Sequence, residues 1–392
     1  MTQSAWGVGT SLNSREAARN AVQQALRQMG TTARPALILA FCSIGLDAEE
    51  AASGISDVLP NVPLWGMSAM GVLSSEGEEG RSVVVGVVSG AKLEASLKWW
   101  PDGSLNQAQK VTRQFKDFAR SIFKANGLLL ALDGLGLNGA VALEAFRDFP
   151  PPVAAGLGSG DFRNGKTVQF CGEDCGEGSS AAVILGGRFR LGVGTAHGWL
   201  LVGMSFTPTI RKGDLGIQEL NGVSAAEAFA RAFNHPVREW SSPPLKQLTR
   251  LYALGIEQDA AGVQKTLLRS AVQVEVDGSF RMNAPVPEDI DAQLLVGNME
   301  SCVAAARKAA KTALEGMYGA KPLMAVLLVD IAWQYLFESR SGEFVEAVLD
   351  ELGGIPLVGA YTLGQASSQK MDEKPVLQNQ HIQVILLGEA EA

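Results

Sequence analysis

Three times along this chain an apolar run is followed by a helix-like stretch, a Pro-led apolar element closing on glycine, and a second apolar run. An internal repeat constrains the fold more than any single motif, because each copy must bury its hydrophobic face against its neighbours. The first copy takes Pro35–Phe41, a helix over Asp47–Leu59, Pro63-Leu-Trp-Gly66, the small-residue segment Met67–Gly71, and Ser82–Ser89. The second takes Gly127–Leu132, a helix over Gly139–Phe149, Pro152–Gly156 with Leu157–Gly160, and Ser180–Gly186. The third takes Pro322–Val329, a helix over Gly342–Leu352, Pro356–Gly359 with Ala360–Gly364, and Ile382–Leu387. Each reads as strand, helix, strand, turn, strand. The short runs of Val, Leu and Ile are those of strands covered on both faces. Proline before the second strand stops the helix. Glycines just after that strand permit a sharp turn or a close approach. The expected fold class is therefore α/β, with repeated strand-helix-strand-strand units forming mixed sheets flanked by helices.

Around these units lie helices at about Asn13–Met29, Ser104–Lys124, Asn221–Phe233 and Ser301–Met317, and a loop at Pro236–Pro244. A boundary near Gly216–Gly222 divides the 392 residues into a domain at 1–218 with two copies and one at 219–392 with a single clear copy.

Net charge of −8, with no basic stripe, speaks against nucleic acid as a partner. No apolar run approaches the ~20 residues of a membrane-spanning helix, and Met1–Thr10 has neither a basic nor an apolar leader region, so the expected location is cytoplasmic. Four cysteines, Cys42, Cys171, Cys175 and Cys302, do not make a disulfide framework. Cys171-Gly-Glu-Asp-Cys175 lies where the second copy turns between strands and reads as a turn rather than half a zinc site.

Catalytic signatures are missing: no phosphate-binding loop with Lys-Ser/Thr, no His-Glu-x-x-His, no Gly-x-Ser-x-Gly. The spacing in Gly192-Val-Gly-Thr-Ala-His-Gly198 is wrong for a dinucleotide. Glu76, Glu78 and Glu79 read as a solvated turn. A hydrolase using Ser68 or Cys42 would need an adjacent base that the sequence does not offer. Of three histidines, His235 precedes a proline in a loop, whereas His197 sits beside the glycine cluster and His381 opens the last strand.

Taken in order, several segments resemble the FIST family of intracellular sensory domains. The first half is similar to its N-terminal domain in Phe41-Cys-Ser43, Pro63–Gly71, Gly192–Trp199 and Thr209–Gly222. The second half is similar to its C-terminal domain in Val358–Gly364 and Leu377–His381. Gly364-Gln365 stands where family members often have Gly-Glu, and Gln378-Asn-Gln-His381 where they often have His-Asn-x-Thr. The resemblance implies a sensor without catalysis. Its ligand would be amino-acid-like or, as in a free-standing nitric-oxide-sensing subgroup, haem. It would signal through a histidine kinase, a cyclic-di-GMP enzyme or a chemoreceptor. His197 is then the first choice of haem axial ligand and His381 the second. The candidate ligand-binding set is Ser43, Gly66, Ser68, Gly71, His197, Trp199, Tyr361, Thr362, Asn379 and His381. The alternative is a scaffold that docks proteins and takes no small ligand.

Overall fold

A computed structural model of the chain describes residues 2–30, 33–90, 92–101, 108–121, 125–160, 167–210, 215–240, 249–260, 263–287, 290–368 and 374–390. The architecture is mixed α/β, as the repeat requires. In each copy the first strand runs parallel to the second and antiparallel to the third. Pro35–Ser43 lies between Leu64–Ala69 and Val83–Ser89. Gly127–Asp133 lies between Val153–Gly158 and Ser180–Gly187. Lys321–Asp330 lies between Leu357–Ser368 and Ile382–Glu389.

The repeat is longer than the apolar runs suggest. Each copy also owns an opening strand, antiparallel to its last strand, and a helix that follows. These are Gln3–Gly9 with Ser14–Met29, Leu93–Trp100 with Ala108–Ser121, and Phe189–Ala196 with Met299–Glu315. The helices at the start and before copy three are thus parts of the repeat rather than additions to it. In copy three, residues 197–298 intervene between opening strand and helix. They form a separate insert of one four-stranded and one five-stranded sheet around the helix Ala225–Phe233. Val237–Trp240 is a short helix where a loop is expected, and 241–244 lie outside the described residues. So do the ends of the expected 104–124 helix.

Close packing in copies one and three depends on matching glycines. Gly7-Val-Gly9 and Gly192-Val-Gly194 lie under the following helix so tightly that a methyl on Gly9 would sit 1.8 Å from the Ala17 carbonyl oxygen. One on Gly194 would sit 1.9 Å from that of Ala309. The helix face turned to the strand is accordingly alanine: Ala17, Ala18, Ala21 and Ala25 in one, Ala306, Ala309, Ala310 and Ala313 in the other, all fully buried. The glycine-rich run before His197 is a helix bed and no phosphate cradle. Copy two lacks the glycines and fills the same space with Trp100, Phe115 and Phe118, whose rings meet at 4.5 and 5.0 Å.

The second strands of the three copies converge. Ser159 Oγ accepts from the Met70 N–H at 2.8 Å and donates to the Tyr361 carbonyl at 2.6 Å, tying copy two to copies one and three. The largest sheet carries strands from all three copies, and copy one's Val72–Ser74 pairs with copy three's second strand.

Candidate functional site

Every copy buries a polar residue where its first strand ends: Ser43, Asp133 and Asp330. Opposite it, just before the third strand, stands Ser82, Ser179 or His381, also buried. In copy one, Ser43 Oγ accepts from the Ser82 N–H at 2.8 Å. In copy two, Asp133 accepts from the N–H groups of Leu135 and Gly136, both at 3.0 Å, and from Thr167 Oγ1 at 2.7 Å. In copy three, Asp330 caps the next helix through the Ala332 N–H at 2.9 Å. Burial raises the carboxyls of both aspartates.

Copy three differs from the others because the insert packs over this end. Residues 377–381 form the seam. His381 is 7% exposed, and its Nδ1–H donates to the Asn379 carbonyl at 2.8 Å, which leaves the lone pair on Nε2. Its ring meets that of His197 edge to face, centroids 4.9 Å apart. His197 has the opposite tautomer, since its Nδ1 accepts from the Trp199 N–H at 3.3 Å. Burial, His197 and Arg269 hold His381 down at about 3, and burial and Lys308 lower His197, so both imidazoles are neutral near pH 7.

Around the pair, Trp199 Nε1 donates to the Leu251 carbonyl at 2.9 Å and Trp333 Nε1 to the Gln380 carbonyl at 2.9 Å. Gln380 is held at φ 55°, a left-handed position that few residues other than glycine adopt. Its Nε2 donates to the Arg250 carbonyl at 3.1 Å. Asn379 Nδ2 donates to the Leu363 carbonyl at 2.9 Å and to Asn283 Oδ1 at 3.3 Å. Arg250 and Arg269 are both buried here, Arg250 near the Asp330 carboxylate. The side-chain oxygens Asn379 Oδ1, Gln380 Oε1 and Gln383 Oε1 are buried with no hydrogen-bond donor among the described residues. Buried acceptors are normally satisfied by protein groups or ordered water, so three orphans within five residues set this segment apart.

The expected site residues divide by place. His197, Trp199, Thr362, Asn379 and His381 come together at this seam. Thr362 Oγ1 donates to the Val329 carbonyl at 3.3 Å and touches Gln365. Gly71 and Tyr361 meet elsewhere, at a junction between copies one and three. There the Tyr361 N–H donates to the Gly71 carbonyl at 3.0 Å, and its hydroxyl to Glu78 Oε2 at 3.1 Å. Gln334 Nε2 donates to Glu78 Oε1 at 2.6 Å. Glu78 is therefore a half-buried bridging carboxylate, raised by burial, and not part of a solvated turn. Gly66 packs on the Ala40 carbonyl, and Ser68 Oγ accepts from the Val168 N–H at 2.9 Å. These two and Ser43 do not join the seam.

Arg250, Arg269, Asn283 and Asp330 escape sequence reasoning. The one available signal is Arg269 itself, a charge inside the apolar stretch from Leu267 to Val272.

Nucleophilic chemistry finds little footing. Burial pushes the Cys42 thiol up to about 12, far from a thiolate at neutral pH. Cys171 and Cys175 belong to a hairpin turning at Gly172, and among the described residues no three metal-ligating side chains cluster.

The two histidines cannot both hold one haem iron as they pack: two metal–nitrogen bonds of about 2 Å each, plus about 1 Å from each nitrogen to its ring centre, put the centroids about 6 Å apart, and here they are 4.9 Å apart.

No helix among the described residues is long and apolar enough to cross a membrane. No curated protein matches the chain. Among solved structures, a cyanuric acid hydrolase from A. caulinodans aligns over 100% of both chains at 7% identity and TM-score 0.38. A chorismatase covers 99% of this chain and 98% of its own at 9% identity and TM-score 0.32. T. maritima PurL complexed with ADP aligns over 99% of this chain and 72% of its own, at 12% identity and TM-score 0.25. Likenesses this weak carry no argument about chemistry. The sequence families speak more directly: residues 36–223 match the FIST N domain and residues 225–368 the FIST C domain. The chain belongs to the FIST family, whose domains are small-ligand sensors of signal transduction.

Proposed function

We propose that this protein senses a small polar, amino-acid-like ligand at the seam between the insert and copy three, and passes the signal to a separate partner protein. The observation that carries the reading is the trio of donorless buried acceptors on Asn379, Gln380 and Gln383. A ligand ammonium or hydroxyl supplies what they lack, and neutral His381 offers a further acceptor in Nε2. The seam is also well placed to report. His197 and Trp199 lead directly into Trp199–Phe206, an edge strand of the insert whose Leu200, Leu201, Val202 and Met204 are 50, 62, 46 and 40% exposed. An apolar edge of this kind suits a protein partner. A ligand that shifts the seam would shift that strand with it.

The test is a thermal-stability screen of the full chain against amino acids, amines, small organic acids and haem. A ligand present at about 100 times its Kd adds about 2.7 kcal/mol, which raises the melting temperature of a chain this long by about 3 °C. The expected result is such a rise for a donor-bearing small molecule, lost in Asn379→Leu and reduced in Asn283→Ala. A flat response from well-folded wild type across the whole panel would overturn the proposal.

A further inference from the structure

The insert's edge strand Trp199–Phe206 pairs with Ala292–Gly297 on one side, and no strand among the described residues pairs with its other side. Along it six consecutive residues, Leu200 to Ser205, are exposed, so neither face of the strand is covered there. In a strand with one buried face every second side chain would turn inward. Leu200, Leu201, Val202 and Met204 are four of the ten large apolar side chains exposed among the described residues, and they fall within five positions. Single apolar residues scattered on a surface need no explanation, whereas a contiguous patch marks a contact surface. Edge strands that stay solitary are guarded by lysine, proline or inward-pointing charge. From Trp199 to Thr207 this chain has no charged residue and no proline.

The register with Ala292–Gly297 slips between Leu201 and Ser205, so Val202, Gly203 and Met204 bulge from the ladder. Gly203 has φ 76°, a left-handed position, and a Cβ built on it would meet nothing within 4 Å. The bulge breaks the straight ladder that an added strand would need. What the strand offers is therefore side chains to pack against rather than backbone for extending the sheet. Charge and size say what packs there. The chain carries net −8, so two copies repel over most of their surface and approach best along a neutral strip. Such a strip opposes no like charges when it meets itself, and twofold dimers that use one patch twice are the commonest assemblies. Laid antiparallel about an axis at Val202, the strip sets Leu201 against the side-chain-free Gly203 of the other copy, and Leu200 against Met204. An eight-residue strand is about 26 Å long. With both faces open it offers on the order of 500 Å² per copy, which reaches the ~1,000 Å² in total that a specific interface needs.

We infer that this protein forms a twofold homodimer through Trp199–Phe206 of each copy, with Leu200, Leu201, Val202 and Met204 interdigitating across the axis. The dimer goes beyond the proposed sensing function and forms without any ligand at the seam. It bears on that function in one respect: a signalling partner reaches this strand only by displacing the second copy. Interfaces at the lower size limit are weak, so the dimer dissociates in the micromolar range.

Sedimentation velocity of the full chain without ligand, over about 1–100 μM to bracket a micromolar Kd, tests this. The sedimentation coefficient is expected to climb from that of a monomer to that of a dimer across the range. Leu201→Asp places a charge in the contact twice over, once from each copy, and should raise the dissociation constant at least about tenfold. Leu201 is 62% exposed, so the variant should melt with the wild type when both are dilute. Leu12→Asp, on a side chain 81% exposed outside the strand, is the control and should leave the dimer unchanged. Val202→Cys should form a disulfide-linked dimer on mild oxidation, under conditions where the wild type, with Cys42, Cys171 and Cys302 buried, does not. A chain that stays monomeric at every concentration would leave the strand to a different protein and overturn the assignment. A dimer indifferent to Leu201→Asp would place the contact elsewhere and overturn it too. So would a dimer whose Val202→Cys form never cross-links, since the two strands would then not share an axis.

Discussion

Gly194→Ala is expected to destabilise the protein by at least about 3 kcal/mol, the upper end of ordinary overpacking costs, or to prevent it from folding. The added methyl would lie 1.9 Å from the Ala309 carbonyl oxygen and 2.7 Å from the Ala313 nitrogen, both helix backbone that no rotamer change can move. Relief requires the whole helix Met299–Glu315 to retreat, and with it the alanine face that lets it lie so close. Native stabilities of about 5–15 kcal/mol leave little room for such a loss. Gly342→Ala is the control. It begins a helix, meets nothing within 4 Å, and its backbone is not in the left-handed region. It should be neutral or stabilising by up to about 1 kcal/mol. Urea unfolding followed by circular dichroism decides. A Gly194→Ala protein as stable as wild type would mean that the helix does not rest on that strand, and that the enlarged repeat is wrong in copy three.

What the amino-acid order reveals and hides follows from the same packing. The inner three strands of each copy are legible because they are buried on both faces and read as unbroken apolar runs. The opening strands are not. Leu93–Trp100 alternates between buried and exposed positions at a sheet edge, and Gln3–Gly9 is half glycine, serine and alanine. In copy three the insert separates opening strand from helix, so no local periodicity can join them. The site shows a similar split. His197 and His381 each attract attention as rare residues beside glycines or a strand start, but nothing in the sequence says that they touch. Glu78 looks like one of three turn carboxylates, and only the arrival of Tyr361 and Gln334 from copy three makes it different. Arg269 carries a visible anomaly, a cation in an apolar run. Its meaning depends on which carbonyls the fold brings to it.

Acidification should weaken the protein through His381. Unfolded, the imidazole titrates near 6.5; folded, it is held at about 3. The unfolded chain therefore takes up the proton first, so stability is fully present above pH 6.5 and falls as pH drops through the window from 6.5 to 3. Between pH 7 and pH 5 the loss from this residue alone amounts to about 2 kcal/mol, and it nears 4–5 kcal/mol at the bottom of the window. His197, lowered by burial and Lys308, acts in the same direction. Asp133, Asp330 and Glu78 act in the opposite one. Their raised carboxyls bind protons more readily folded than unfolded, so they favour the folded state as they protonate. Total stability against pH would mix these effects, and the discriminating quantity is the difference between wild type and His381→Gln. That difference should change by about 2 kcal/mol between pH 7 and pH 5 in urea unfolding, with the variant the less acid-sensitive of the two. A difference that stays constant would mean that His381 is already in contact with water in the folded state. The seam would then be a wet channel, and the orphan acceptors of Asn379, Gln380 and Gln383 would be met by solvent, leaving nothing there for a ligand to satisfy.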